Sequence, residues 1–276
     1  MNHPKILQSK ISPGSIPENF ETVDVYAHRG STVLAPENTE QAFELALGYG
    51  ADVLEIDVRL SRDGQVVVTH DSRVERTCNG QGAVADQTLS ELKRLDAAYN
   101  FTDLQGKHYR DQGVRLITLD ELFERFPTSR INVDIKDNSA RAAQAVADSI
   151  KQANSYARVN VGSFHAAALG HFRDRAPEVT TAATQSEVAK LYFLGRGKKH
   201  TLPFQFLQIP VSYFGIPLAT HSFIQAARSR GINVVYWTIN TTEAMQLLLA
   251  RGAHGIVTDR VDLACTLLGK TPTESD

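Results

Sequence analysis

The sequence predicts an α/β protein built as a single (β/α)8 TIM barrel with a small insertion after the second strand. Three observations lead there. Short β-favouring runs alternate with amphipathic helical patterns, and eight such units are what a closed parallel barrel requires. The chain of 276 residues accommodates one such domain, for which ~250 residues is typical. Chemically capable residues fall at or just after the C-terminal ends of the predicted strands, the functional face of this architecture.

Residues 1–22 carry Pro4, Pro13 and Pro17 among polar residues and read as a flexible arm, with 270–276 as a second flexible end. Val23–Ala27 is the first strand. Pro36-Glu37-Asn38-Thr39 opens a helix with Asn38 or Thr39 as cap, an apolar stripe through Ala42, Phe43, Leu45 and Ala46, and Gly50 as stop. Ala51–Leu60 is the second strand. Asp63-Gly64 is a strong turn signal that folds the chain back antiparallel, so that His70 returns to the level of Glu55. Residues 72 to about 117 are polar and glycine-punctuated, with a short helix started by the capping box Thr88-Leu89-Ser90-Glu91. Within them Ala97–Gly113 reads as a surface insertion or lid. A second capping box, Thr118-Leu119-Asp120-Glu121, starts a helix that ends at Phe126-Pro127. Strands follow at Ile131–Lys136, Arg158–Ser163, Val179–Ala183, Phe206–Ile209, Val234–Thr238 and Gly255–Thr258. Helical patterns separate them at Ser139–Gln152, His165–Arg175, Gln185–Leu194, Thr220–Arg230 and Thr241–Ala250, the last two stopped by Gly231 and Gly252.

Composition narrows the partners. A net charge of -2 gives no global attraction to nucleic acid or to an acidic membrane, so any anion binding is local. Cys78 and Cys265 lie far apart, outside any metal-ligand spacing, and read as unpaired thiols of a reducing compartment. No run reaches signal-peptide or membrane-spanning length, which points to the cytoplasm unless an exported precursor has lost its leader. Nothing in the sequence specifies an oligomeric state.

Reactive side chains concentrate between His28 and Asp71. Glu55 and Asp57 stand at i and i+2 in an apolar strand and leave it on one face. Two like charges that close need a cation or a shared proton. Asp134 and Lys136 repeat the spacing, and a third carboxylate beside the first two makes an oxygen-rich site suited to Ca²⁺ or Mg²⁺. The competing reading is a buried Asp134–Lys136 salt bridge. Zinc lacks its cysteine or clustered-histidine signature here. Trp237 is either a wall of a substrate site or barrel filling. The runs 202–207 and 211–217 are unusually apolar and follow Arg196, Lys198 and Lys199; they form either an acyl-chain groove or weak membrane-contact patch, or a buried strand with a packed loop.

The ordered set His28-Arg29-Gly30, Pro36-Glu37-Asn38-Thr39, Glu55-x-Asp57, Asp63-Gly64, His70-Asp71, Arg76-Thr77 and Gly80-x-Gly82 resembles the glycerophosphodiester phosphodiesterase family. Asp134-x-Lys136, Ser163-Phe164, Trp237-Thr238-x-Asn240 and Gly255-Ile256-Val257-Thr258-Asp259 extend the resemblance to about residue 262. It implies a barrel enzyme that cleaves glycerophosphodiesters to an alcohol and sn-glycerol 3-phosphate. It also implies a divalent cation on Glu55, Asp57 and Asp134, Arg29 and Lys136 near the phosphate, and His28 and His70 as the acid/base pair. The motif match favours Trp237 as part of the substrate site. Position 134 is more often glutamate in the family, and the shorter aspartate bears on metal distance or identity. The Asn-Val-Asp-Ile-Lys form is similar to a branch acting on lysophospholipids, which makes lysophospholipase D-type hydrolysis the alternative. A rival of another class, a non-catalytic phosphate-binding domain on the same barrel, would be favoured by loss of a histidine or carboxylate, and none is missing.

Overall fold

In the computed structural model, residues 23–194 and 202–270 are described. The expected flexible stretches 1–22 and 271–276, and the basic residues Arg196, Lys198 and Lys199, lie outside the described residues. Lys270, expected within a flexible end, is held by Asp52 at 2.8 Å.

The chain runs β1 (Asp24–His28), α1 (Glu40–Gly48), β2 (Val53–Leu60), β3 (Val66–Val68), α2 (Leu89–Leu92), α3 (Leu119–Arg125), β4 (Arg130–Ile135) and α4 (Ala140–Gln152). It continues with β5 (Val159–Gly162), α5 (Ala166–Arg175), β6 (Thr180–Thr181), α6 (Gln185–Leu194), β7 (Phe206–Ile209), β8 (Ser212–Tyr213) and β9 (Ile216–Pro217). The last elements are α7 (His221–Arg228), β10 (Asn233–Tyr236), α8 (Thr242–Ala250), β11 (Gly255–Thr258) and α9 (Val261–Leu268). Among the described residues, eight strands pair in parallel in the order β6-β5-β4-β2-β1-β11-β10-β7. A parallel bridge between Ala182 and Phe206 joins the two ends. The result is the predicted TIM barrel.

Side-chain parity decides what each face of the barrel holds. Leu54, Ile56, Val58, Val133 and Ile135 point outward into a core shared with the helices, where Phe43, Phe126, Ile150 and Leu169 meet them. Each fully buried residue of this size contributes ~1.5–3 kcal/mol. The alternate positions point inward. Tyr26, Val53, Val235 and Val257 plug the barrel interior, and the next inward positions along β1 and β2 are polar: His28, Glu55, Asp57. An apolar plug therefore lies beneath a polar rim.

Capping chemistry starts the helices where the sequence places them. Thr39 caps α1, and Thr118 and Glu121 form the capping box of α3. Two elements depart from expectation. α9 has no side-chain cap and therefore no start signal, although Gly269 ends it in the left-handed conformation. β8 and β9 form a hairpin inside the apolar run, turned at Phe214 and Gly215, both at positive φ (46° and 80°).

Residues 72–117 close over a small core of their own, with Val74, Cys78, Val84, Leu92 and Val114 gathered on Val67. The stretch 97–113, expected as an insertion or lid, contributes no residue to the wall of the cavity at the barrel mouth.

Candidate active site

Strand register brings the chemistry to one level. His28 pairs with Glu55, and Asp57 with Asp134, so four titratable groups from β1, β2 and β4 share two adjacent rungs. The β2–β3 hairpin pairs Val58 with Val68, and the Thr69 amide donates to the Asp57 carbonyl at 2.9 Å, which returns His70 to the same rim. After β1 the chain turns sharply through three residues at positive φ: Arg29 (52°), Gly30 (82°) and Ser31 (100°). This turn aims the Arg29 amide at Glu55 Oε2, 3.0 Å away. A Cβ at Gly30 would lie 2.6 Å from Ala42 Cβ, so the turn and α1 fit only with glycine there.

Each histidine is backed by a carboxylate. His28 Nδ1 lies 2.6 Å from Asp259 Oδ1, and His70 Nδ1 lies 2.6 Å from Asp71 Oδ1. A carboxylate only accepts, so in both rings Nδ1 carries the proton and Nε2 is left for the cavity. Asp259 is held on every side: Thr32 Oγ1 and Asn240 Nδ2 donate to its carboxylate, each at 2.7 Å, and its amide donates to Asn240 Oδ1 at 2.9 Å. Burial works against protonation of His28, but the Asp259 hydrogen bond and Glu55 outweigh it and raise its pKa.

Asp57 is almost fully buried and gathers the cations. Lys136 Nζ is 2.8 Å from its Oδ1, Arg29 Nε is 2.9 Å from its Oδ2, and Asn38 Nδ2 donates to Oδ2 at 3.0 Å. The Arg29 Nε–H is not directed at that oxygen, so the contact is an ion pair without a hydrogen bond. Burial opposes the charge on Asp57, yet Lys136 and Arg29 prevail and hold its pKa below the usual range. Glu55 has no such company; burial and then Asp57 push its carboxyl up to about 7. Burial also raises Asp134, against the pull of Lys136 at 2.6 Å. Glu37 accepts from Arg29 at 3.0 Å and from both terminal nitrogens of Arg76 at 2.7 Å, and Arg76 also pairs with Asp71.

The donor set suits a hard divalent cation. Asp134 Oδ1 is buried with no hydrogen-bond partner, and Glu55 and Asp134 both lack enough positive charge to ionise freely. Lys136 bridges two of the three carboxylates. Among the described residues, no three acidic, histidine or cysteine side chains are drawn into a coordination cluster. Donor chemistry therefore fits, and Lys136 supplies in part the charge that a cation would bring.

His28, Arg29, Glu55, Asp57, His70, Asp134, Lys136 and Trp237 all line one cavity of ≈ 360 Å³ at the C-terminal end of the barrel. Its floor is polar. Its far wall, from Val188, Tyr192 and Phe193 on α6, Tyr213 and Ile216 on the β8–β9 hairpin, and Phe164, is apolar. The apolar run of the sequence thus divides: Phe204 and Leu207 are core, Ile209 is buried where it also lines the cavity, and Tyr213 and Ile216 line it from the hairpin. Trp237 packs edge-on against Phe164, ring centroids 5.7 Å apart, lining the cavity on one side and packing against the barrel plug on the other. Asp134 forms the expected ion pair with Lys136, and its Oδ1 has no hydrogen-bond partner. Sequence reasoning assigns no role in the site to Glu37, Asp71, Asn240 or Asp259, and reads Asn38 only as a possible helix cap, a place that Thr39 takes while Asn38 bonds Asp57. The available signal was position, since each stands within one of the motifs that carry the resemblance.

Residues 28–263 match the model of the glycerophosphoryl diester phosphodiesterase family. A glycerophosphodiester phosphodiesterase of Caldanaerobacter subterraneus subsp. tengcongensis is 32% identical over 261 residues, covering 89% of this chain and 98% of the relative. The structure of an Oleispira antarctica phosphodiesterase in complex with the product sn-glycerol-3-phosphate superimposes with a TM-score of 0.74 at 26% identity, over 89% of this chain and 96% of that one. A glycerophosphoryl diester phosphodiesterase domain from Mycobacterium tuberculosis shares the fold with a TM-score of 0.79 at 20% identity, over 89% and 99% of the two chains. Fold, site and relatives together define a phosphoric diester hydrolase. The chain belongs to the glycerophosphoryl diester phosphodiesterase family.

Proposed function

We propose that the protein hydrolyses glycerophosphodiesters to an alcohol and sn-glycerol 3-phosphate by histidine acid/base catalysis. The observation that carries this reading is the pair of imidazoles, each tied at Nδ1 to a carboxylate, in one cavity with Arg29 and Lys136. The guanidinium and ammonium receive the phosphate and offset the charge that grows on its non-bridging oxygens. One Nε2 takes the proton of the attacking hydroxyl or water while the other protonates the departing alkoxide, each worth ~10²- to 10⁴-fold in rate. Glu55, Asp57 and Asp134 would hold Ca²⁺ or Mg²⁺, whose chemistry is to polarise the phosphoryl group. That an Oleispira antarctica relative binds sn-glycerol-3-phosphate supports the product. A cytoplasmic setting belongs to the same reading, supported by two buried unpaired thiols, Cys78 and Cys265. Among the described residues, no helix is long and apolar enough to cross a membrane.

A second reading, lysophospholipase D-type hydrolysis, uses the same machinery and is favoured by the apolar wall of the cavity. That wall continues outside in exposed aromatics, Phe164, Phe193, Tyr213 and Phe214, which also offer weak membrane contact. The test is a side-by-side assay on glycerophosphocholine and its hexanoyl and decanoyl esters, below micelle-forming concentrations, with metal titration. Turnover of glycerophosphocholine that is lost in chelator and restored by Ca²⁺ or Mg²⁺ supports the first reading. A kcat/KM that climbs ~2- to 4-fold per methylene selects the second. No hydrolysis of any of them excludes both.

A further inference from the structure

Between the charged floor and the apolar wall lies a group of amides that the catalytic scheme does not use. Asn132 stands on β4 one inward position before Asp134 and pairs in register with Glu55 on one side and Asn160 on the other. Its Oδ1 accepts from Asn160 Nδ2 at 2.7 Å and from Gln208 Nε2, which reaches across the barrel from β7. Gly162 makes that reach feasible, since a Cβ there would come within 3.3 Å of Gln208 Oε1. Asn132 is 3% exposed, and both Asn132 and Gln208 line the cavity.

Counting hydrogen-bonding capacity shows what is left over. A carboxamide has two donor hydrogens and a carbonyl acceptor. With Oδ1 of Asn132 occupied twice, its Nδ2 has no partner among the described residues, and neither has Gln208 Oε1. Turning all three amides over exchanges the roles without changing the balance: Asn132 then donates to both neighbours, its own carbonyl is free, and Gln208 keeps a free N–H. In either arrangement Asn132 and Gln208 present one donor group and one acceptor group, fixed by each other and by Asn160, to whatever enters the cavity, while the second amide atom of Asn160, buried away from the cavity wall, is left without a partner. Such groups in a low-dielectric site are costly without a partner. A hydroxyl is the group that both donates and accepts at one atom.

We propose that Asn132 and Gln208 form a hydroxyl-reading subsite, selecting substrates that carry a free hydroxyl on the glycerol arm. The proposal rests on the phosphodiesterase reading for the identity of that arm, and adds a specificity element distinct from the phosphate and proton-transfer groups. A site built to bond a hydroxyl rejects the analogue that lacks it, because its own polar groups are then stranded.

The test uses the full chain and binding rather than turnover. Trp237 is the sole tryptophan and lines the same cavity, so its fluorescence reports occupancy. Glycerol 3-phosphate and propyl phosphate, which differ by the two hydroxyls, are titrated against wild type and against Gln208→Leu and the more nearly isosteric Gln208→Met. The expected wild-type preference for glycerol 3-phosphate is about 10-fold or more, falling toward parity in either variant. Equal affinities in wild type, or a preference that both variants retain in full, would overturn the subsite. Glycerophosphodiester turnover in the same preparation decides the earlier reading separately: a hydroxyl preference without turnover rejects the reaction and keeps the subsite, and turnover without the preference does the reverse.

Discussion

At the scale of single residues, Asp259 does the most that the sequence leaves unsaid. It fixes His28 Nδ1 as the protonated nitrogen, and it is itself held by Thr32 and Asn240. Asp259→Asn keeps the volume but offers an amide donor, which favours the tautomer with the proton on Nε2. The expected outcome is a kcat lower by about 10²-fold or more with KM little changed, read from steady-state kinetics; a rise in KM alone would contradict the positioning role. Glu55 makes a different prediction. Its pKa in the folded chain stands at about 7 against an ordinary 4.5, through burial and then Asp57. Between those values the folded state keeps a proton that the unfolded chain releases, so this residue's contribution to stability declines as pH rises through that window and is gone above it. Glu55→Gln cannot ionise and still accepts from the Arg29 amide. With metal removed by chelator, the variant is therefore more stable than wild type at about pH 8, by up to a few kcal/mol, and indistinguishable near pH 4. Urea unfolding at the two pH values checks it; equal stability at the higher pH would contradict it.

At the scale of elements, the turn after β1 carries two of the site's residues and depends on Gly30. With φ at 82° and a Cβ that would strike Ala42 at 2.6 Å, Gly30→Ala strains the backbone and pushes α1 away. It should cost roughly 1–3 kcal/mol in urea unfolding and lower kcat through Arg29 and His28; a stable, fully active variant would show that the turn is slack. The same element shows what a sequence makes legible. Strand parity and the Asp-Gly hairpin are local signals, so the convergence of His28, Glu55, Asp57 and His70 is legible in the order of the residues. Thr39, Thr88 and Thr118 announce their helices through caps. Helix α9 has no cap to announce it, and the β8–β9 hairpin turns at Phe214 and Gly215 within a run whose apolar composition fits a groove, a contact patch or a buried loop alike. The partnership of His28 with Asp259 joins positions 231 residues apart and arises only when β1 and β11 pair, which no local pattern encodes. The amide group of Asn132, Asn160 and Gln208 is hidden for the same reason, being assembled across the barrel from three strands.

At the scale of the whole molecule, the barrel separates stability from chemistry. Outward positions of the strands pack against helices, the lower inward positions form an apolar plug, and the upper inward positions are left for charged groups that the core could not accommodate. The region 72–117 builds its own small core away from the cavity yet sends Arg76 back to pair with Glu37 and Asp71, which themselves hold Arg29 and His70. A polar network thus runs at the barrel mouth from His70 through Asp71, Arg76, Glu37 and Arg29 to Asp57, Lys136 and Asp134, with the His28–Asp259 pair standing beside it. The histidine mechanism is tested most sharply by release of glycerol 3-phosphate from glycerophosphocholine by wild type, His28→Ala and His70→Ala, all shown to be folded by circular dichroism. Turnover in wild type and a loss of at least ~10²-fold in each variant are expected; hydrolysis undiminished in either variant, or absent in wild type at every metal concentration, would contradict the mechanism.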